Sequence, residues 1–399
     1  MNRIIATLRD GTWLPEARVT RLATAAVVGT ILFLLFLALT AHGLIDYSGR
    51  PLGTDFSSFY AAGRLAGAGA NPYDPASLHA MEKTIFGDGT PYYAFAYPPI
   101  FLLLACPLAM LAYLPSLVVW QVSTFLLYLL ALALLRRRFA SALPDRHFYL
   151  CAAGFTAVFV NLTHGQNGFL TAALFAAALA LLDSRPWLAG LCFGLIAFKP
   201  QFGLLIPFVL AADGRWRSFL AAAATVVALA VLSALLFGPE AWPGFFSAAG
   251  QARQVILEAN GVGYSKMVSV FSWLRLWHLP LTVAYAGQVI VAILVILTGV
   301  RAWRSGADLK LKAALLCVGT LLTTPFALDY DLMLLAPAIL LVVAWMIEKP
   351  VIPFGATLVF SLWMMPLFVR GIAAATLLPL ANWVMAACFV LLVKQTRTR

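Results

Sequence analysis

Charge is scarce in this chain. Asp, Glu, Lys and Arg make up 11% of its 399 residues, against 62% hydrophobic residues and a mean hydropathy of +0.91. A soluble globular domain carries about twice that share of charge, so this balance excludes one and leaves a chain that crosses a membrane repeatedly. Cysteine is equally sparse. Cys106, Cys151, Cys192, Cys317 and Cys388 sit in or beside apolar runs without paired spacing, the pattern of packing thiols rather than of a zinc site or a disulfide framework. No Gly-rich nucleotide loop is present. No Gly/Ser linker, charge block or internal repeat divides the chain, which reads as one integral membrane domain over residues 1–399.

What the sequence has is apolar runs. The first, RLATAAVVGTILFLLFLALTAH from Arg21 to His42, holds about 20 uncharged residues, enough to span the ~30 Å hydrocarbon core as a helix. It is too long for a signal-peptide core and reads as an uncleaved anchor. Further spans are expected near 115–135, 148–163, 167–182, 187–199, 201–212, 218–237, 281–300, 312–324, 331–347, 352–369 and 373–393, about twelve in all. The net charge of +11 gathers in short clusters at the ends of these runs, which is a membrane pattern and not a nucleic-acid footprint. With both termini cytoplasmic, 19 of the 27 Lys and Arg fall on the inner side. Pro98 to Leu111 is apolar enough to cross, but a crossing there would put Arg136, Arg137 and Arg138 outside, so it reads as interfacial or re-entrant. The long non-spanning pieces are a first extracytoplasmic loop, 43–97, and a second segment, 238–280. A bacterial inner membrane is the expected setting, with membrane lipids as partners.

The polar machinery then belongs on the outer face. In GTDFSSFYAAGRLAGAGANPYDP, residues 53–75, Asp55 lies in a neutral stretch. Ser57 to Ala68 predicts a helix carrying Phe59, Tyr60 and Leu65, broken by Asn71-Pro72. Asp74 and Pro75 supply the N-cap and first position of a second helix that would bury Leu78, Met81 and Ile85. These read as amphipathic helices lying along the membrane surface and holding one acid, either a solvated cap or a site carboxylate. Three further turns fall on the same side: His164-Gly165-Gln166-Asn167, Lys199-Pro200-Gln201 and Asp329-Tyr330-Asp331. Lys199 follows an apolar run directly and is either functional or a snorkelling anchor. His164 is either a site residue or a satisfied loop histidine, and Tyr92, Tyr93 and Tyr97 fit an interfacial aromatic belt.

Taken in order, the first-loop acid, NPYDP, FAYPPIFLLLACPLAML, HGQNGFLTAALFAAALALL, AGLCFGLIAFKPQFGLLIPFVL with GRWR, and TPFALDYDLMLLAP resemble glycosyltransferase family 87 over residues 50 to 345. The resemblance implies an all-α GT-C architecture and an extracytoplasmic active site under a first loop with amphipathic helices. It also implies a polyprenyl-phosphate sugar as donor, because nucleotide sugars stay in the cytoplasm. Asp55 matches the family's first-loop acid, the expected general base. The sequence departs from many members at Leu328-Asp329-Tyr330-Asp331, where they carry a histidine.

The expected reaction is an inverting transfer of a hexose, mannose being the first candidate, to a hydroxyl of a glycan or glycolipid. A cation would stabilise the leaving phosphate: Lys199 first, then Arg64 and Arg253. His164, Gln166 and Asn167 are candidates to hydrogen-bond sugar or phosphate, with Gln201 and Tyr330 behind them. Asp329 and Asp331 are candidates for acceptor hydroxyls; two acids at that spacing do not by themselves make a metal site, and a divalent-ion requirement and the oligomeric state stay open. The alternative reading is a transporter or flippase of lipid-linked glycans. Against it, ionisable residues near the bilayer midplane, where transporters keep their sites, are almost absent.

Overall fold

Prolines and glycines divide the apolar sequence into helices. The computed structural model describes residues 2–349 and 351–397. Short α1 (Asn2–Asp10) stops at Gly11, and Pro15 precedes the long apolar α2 (Glu16–Thr40). The chain then stays at one end of the molecule through α3 (Phe56–Gly67), α4 (Pro75–Phe86) and α5 (Leu102–Ala109), until α6 (Tyr113–Phe139) runs to the opposite end, where Arg136, Arg137 and Arg138 lie. A return leg is made by α7 (Asp145–Ala153) and α8 (Thr156–His164), and α9 (Gly168–Leu181) runs back. Another leg, α10 (Pro186–Gly194) with the 3-10 turn Leu195–Phe198, ends at Lys199; α11 (Pro200–Gly203) and α12 (Ile206–Ala212) lead away from it, and α13 (Trp216–Phe237) returns.

Residues 238–280 then form α14 (Ala241–Ala252), a π-helical turn over Arg253–Glu258, a 3-10 turn over Tyr264–Lys266 and α15 (Val270–Leu276). The chain closes with α16 (Leu281–Arg304), α17 (Leu309–Thr323), the 3-10 turn Asp329–Leu334 running into α18 (Leu335–Ile347), α19 (Gly355–Met364), α20 (Val369–Thr376) and α21 (Leu380–Arg397). No β-strand occurs among the described residues, only isolated bridges.

Five of these helical stretches are long and apolar enough to cross a membrane: α2, α6, α13, α16 and residues 329–347. A sixth is added if 355–376, bent by 78°, counts as one span. Most of the other segments in the twelve-crossing reading fold as shorter or broken helices, such as α9 with 14 residues and α17 with 15. The segment 98–111 starts and ends at the Asp55 end. Tyr97 precedes it and donates to Gln166, while at its far side Leu111 O accepts from the Tyr60 hydroxyl at 2.7 Å.

The core is centred on α17, buried from Leu311 to Thr323, whereas α2 and α13 turn large apolar side chains outward, Leu39 being 83% exposed and Leu235 77%. Such faces belong against lipid, where apolar area gives no drive for helix association and close packing of small residues must supply it. The contact of α10 with α13 shows this directly. A Cβ on Gly190 would lie 2.4 Å from Ser218 O, and one on Gly194 would lie 2.5 Å from Thr225 Cβ.

A second core lies at the Asp55 end, where Phe59, Tyr97 and Phe101 meet with ring centroids 4.8 to 5.1 Å apart. It corrects the surface-helix expectation for Ser57 to Ala68. Residues Phe56 to Gly63 of α3 are all buried, because α5 covers the side that would otherwise face lipid or water. At the opposite end an alternating chain of ion pairs links Arg138, Asp183, Arg215, Asp213 and Lys312, with separations of 2.5 to 3.1 Å.

Candidate active site

Asp55 is held by contact between two glycine turns. Gly165 ends α8 with φ +63°, and a Cβ there would stand 2.7 Å from Phe56 Cβ, so glycine alone lets the 53–56 turn press against it. In that contact Asp55 N donates to His164 O at 3.0 Å. Helix α6 braces the same turn: Trp120 Nε1 donates to Gly165 O at 3.0 Å and Gln121 Nε2 to Leu162 O at 2.9 Å. From inside, the buried Asn161 amide donates to Gln166 O at 3.0 Å and accepts from Gly168 N at 2.8 Å.

On this rigid turn Gln166 Oε1 accepts from Asn167 N at 3.1 Å and from the Tyr97 hydroxyl at 3.3 Å, which leaves its Nε2 to donate to Asp55 Oδ2 at 2.9 Å. His164 Nδ1 lies 2.8 Å from Val160 O, so that nitrogen carries the proton and donates, and Nε2 is the free one. Asn167 is fully buried, and among the described residues neither its amide nitrogen nor its amide oxygen has a partner of regular hydrogen-bond geometry, although the Tyr97 hydroxyl lies near enough to interact.

Burial pushes the Asp55 carboxyl up. Lys266, His164 and the hydrogen bonds of Gln166 and Thr54 pull it down by more, so the group is held below the ordinary carboxylate range. It is ionised at neutral pH, with a fifth of its side chain accessible.

Two lysines flank it. Lys199, stranded where Pro200 breaks the helical leg, has Nζ 2.5 Å from Asp331 Oδ1, and both side chains are at most 3% exposed. The other carboxylate oxygen of Asp331 accepts from Leu328 N at 3.0 Å. Lys266 ends the 3-10 turn that follows Gly263, and the chain beyond it is joined to the segment before Asp329 by Val268 N donating to Ala327 O at 2.9 Å. Its Nζ stands 3.7 Å from Asp55 Oδ2. The Tyr330 ring faces both ammonium groups, 5.0 Å from Lys199 and 5.8 Å from Lys266. Asp329 is buried within electrostatic reach of Lys266, His164 and Arg370, and one of its oxygens accepts from Tyr330 N at 2.9 Å.

Asp55, His164, Gln166, Asn167, Lys199, Asp329, Tyr330 and Asp331 therefore share one cluster. Arg64, Arg253 and Gln201 are not drawn into it. Arg64 is exposed, Arg253 is 55% exposed beside Glu258 at 3.6 Å, and the half-buried Gln201 side chain makes no hydrogen bond among the described residues. Two members escape the sequence reading, Tyr97, which fits a belt position, and Lys266. The available signal was that Lys266 is a single lysine in an outer Gly-Val-Gly-Tyr-Ser loop, against the inward bias of the other basic residues. Among the described residues no group of three or more His, Cys, Asp or Glu is arranged to hold a metal ion. What the cluster can do is accept a proton at a fixed carboxylate beside a fixed positive charge.

The family model of glycosyltransferase family 87 matches residues 95–325, more than half of the chain. The chain belongs to glycosyltransferase family 87. As a family 87 member it is a membrane glycosyltransferase, acting between a sugar donor and an acceptor. The match covers Tyr97, the 164–167 turn, Lys199 and Lys266; Asp55 and the 329–331 turn lie outside it and come to the site through the fold. No curated protein and no solved structure matches the chain.

Proposed function

We propose that this family 87 enzyme transfers a hexose, mannose first among the candidates, from a polyprenyl-phosphate donor to a hydroxyl of a glycan or glycolipid, with inversion. On this reading the fold is of the GT-C type with about twelve crossings. Both termini are cytoplasmic and the site faces outward in a bacterial plasma membrane, with 43–97 and 238–280 as the outer segments. The observation that carries it is the ionised Asp55 carboxylate beside Lys266, at the end of the molecule away from the basic ion-pair chain. Asp55 takes the acceptor proton as the acceptor oxygen bonds to the anomeric carbon. The bond from that carbon to the phosphate oxygen breaks with its electron pair, and polyprenyl phosphate leaves with one more negative charge.

The test is turnover of radiolabelled polyprenyl-phosphate mannose by the full chain in nanodiscs. Wild type is expected to release polyprenyl phosphate, and Asp55→Asn to lose roughly 10²- to 10⁴-fold in rate while still binding donor. A wild type that binds donor yet releases nothing with any acceptor or sugar would return the molecule to the transporter reading.

A further inference from the structure

The two lysines of the cluster are not equivalent, and the difference decides which can receive a phosphate. Lys199 is already matched: its ammonium and the Asp331 carboxylate are 2.5 Å apart and almost completely buried. A second anion brought to it would meet Asp331 at close range in a poorly screened setting. Lys266 makes one ion pair, with Asp55 Oδ2 at 3.7 Å, beyond hydrogen-bond distance, and has the buried Asp329 carboxyl within electrostatic reach; among the described residues its three N–H donors make no hydrogen bond, and the side chain is 12% exposed. Nor is it a loose surface lysine, since the Val268 to Ala327 hydrogen bond and the bridge of Met267 with Leu328 fix the chain that follows it. The buried Asn167 amide, which among the described residues has no partner of regular hydrogen-bond geometry and only the Tyr97 hydroxyl near it, is a second sign that the cluster is shaped for a polar ligand.

Resting on the polyprenyl-phosphate reading above, we infer that Lys266, and not Lys199, is the cation that receives the phosphate of the lipid, and that Lys199 acts as a positioning residue for Asp331. The chemistry favours a cation shared with the base. Before transfer Lys266 faces the Asp55 carboxylate. When that carboxylate takes the acceptor proton it becomes neutral, and at the same moment the departing phosphate gains the charge that Asp55 has lost. The ammonium thus keeps one neutralising partner throughout and passes from carboxylate to phosphate without a new cation entering. Lys199 cannot do this, because nothing in the reaction neutralises Asp331.

The test measures binding of undecaprenyl phosphate to full-length protein in nanodiscs, with no sugar or acceptor present, alongside the pH profile of turnover. Lys266→Gln is expected to bind undecaprenyl phosphate about tenfold more weakly, the scale of one charge-assisted hydrogen bond. It should also move the acid limb of the rate profile upward, with both effects partly restored in Lys266→Arg. Lys199→Gln/Asp331→Asn, which removes both members of the buried pair and avoids an orphaned charge, should bind within about threefold of wild type. The inference is overturned if the double variant loses affinity while Lys266→Gln keeps it, or if wild type does not bind the lipid phosphate. A wild type that binds undecaprenyl phosphate, loses that affinity in Lys266→Gln and yet transfers no sugar would defeat the proposed transfer reaction alone and leave Lys266 as the phosphate site.

Discussion

Burial by itself raises the Asp55 carboxyl; its charged and hydrogen-bonding neighbours lower it by more. A carboxyl whose value is lowered from 3.8 serves as base at any pH above that lowered value and fails as pH falls through it. The acid limb of kcat/KM assigned to Asp55 should therefore lie below about pH 4, as measured by initial rates across a pH series. At Lys199 the expected cost is one of folding. Lys199→Met leaves Asp331 buried and unpaired and should lower stability by about 3–5 kcal/mol, whereas Lys199→Met/Asp331→Leu should recover most of that loss in denaturant unfolding in detergent. These residues were unevenly legible in sequence. Lys199 stands out because an ionisable group directly after an apolar run is costly and asks for a reason, and Asp55 because it is a single acid in a neutral stretch and matches the family's first-loop acid. Lys266 does not stand out, because its meaning depends on a backbone contact between 268 and 327 that no local pattern announces.

Helix α4 shows where periodicity stops being informative. Its cap was readable: Asp74 accepts from Ser77 N at 2.9 Å and Pro75 opens the helix. Its buried face was readable in part: Leu78 is buried and Met81 and Ile85 pack half-buried against the same core, but Glu82 and Phe86 also point inward. A pattern rule puts glutamate outside, but here the Glu82 carboxylate oxygens accept from Tyr93 N at 3.2 and 3.3 Å, and Phe86 packs edge-on against Tyr113 at 4.7 Å. Burial pushes the Glu82 carboxyl from 4.5 up to about 8, with the Tyr93 N–H opposing it in part. The folded state then holds the proton more tightly than the unfolded one, so this group's stabilisation is full below about pH 4.5 and is lost as pH rises toward 8. Thermal unfolding in detergent from pH 5 to 9 should show that loss in wild type and a flatter profile in Glu82→Gln. In the turn after α8, Gly165→Ala should cost at least about 1–2 kcal/mol through the left-handed backbone alone. It should also slow turnover by parting the 53–56 and 165 turns, which rate and melting measurements on the same sample would register.

At the scale of the whole molecule, the helical membrane character was plain from composition, whereas the count of crossings was not. The break at Lys199-Pro200 divides 187–212 into two segments in the sequence as in the structure, but hydropathy does not tell whether such short, broken helices each cross the membrane. The orientation can be tested directly. With the native cysteines replaced, an impermeant maleimide should label Asp88→Cys in intact cells and Ser141→Cys only after permeabilisation; the reverse labelling would invert the proposed topology. The ion-pair chain at the Ser141 end has a consequence for biogenesis. While the chain is being inserted, only its lysines and arginines orient it, because acidic residues count for little in that process. On the proposed topology, Arg138, Arg215 and Lys312 would act first as unpaired orientation signals. Asp183 and Asp213 then claim them once the helices have assembled. The same three cations are used twice, in succession, and a charge reversal at Asp183 should disturb the second use while leaving the first intact.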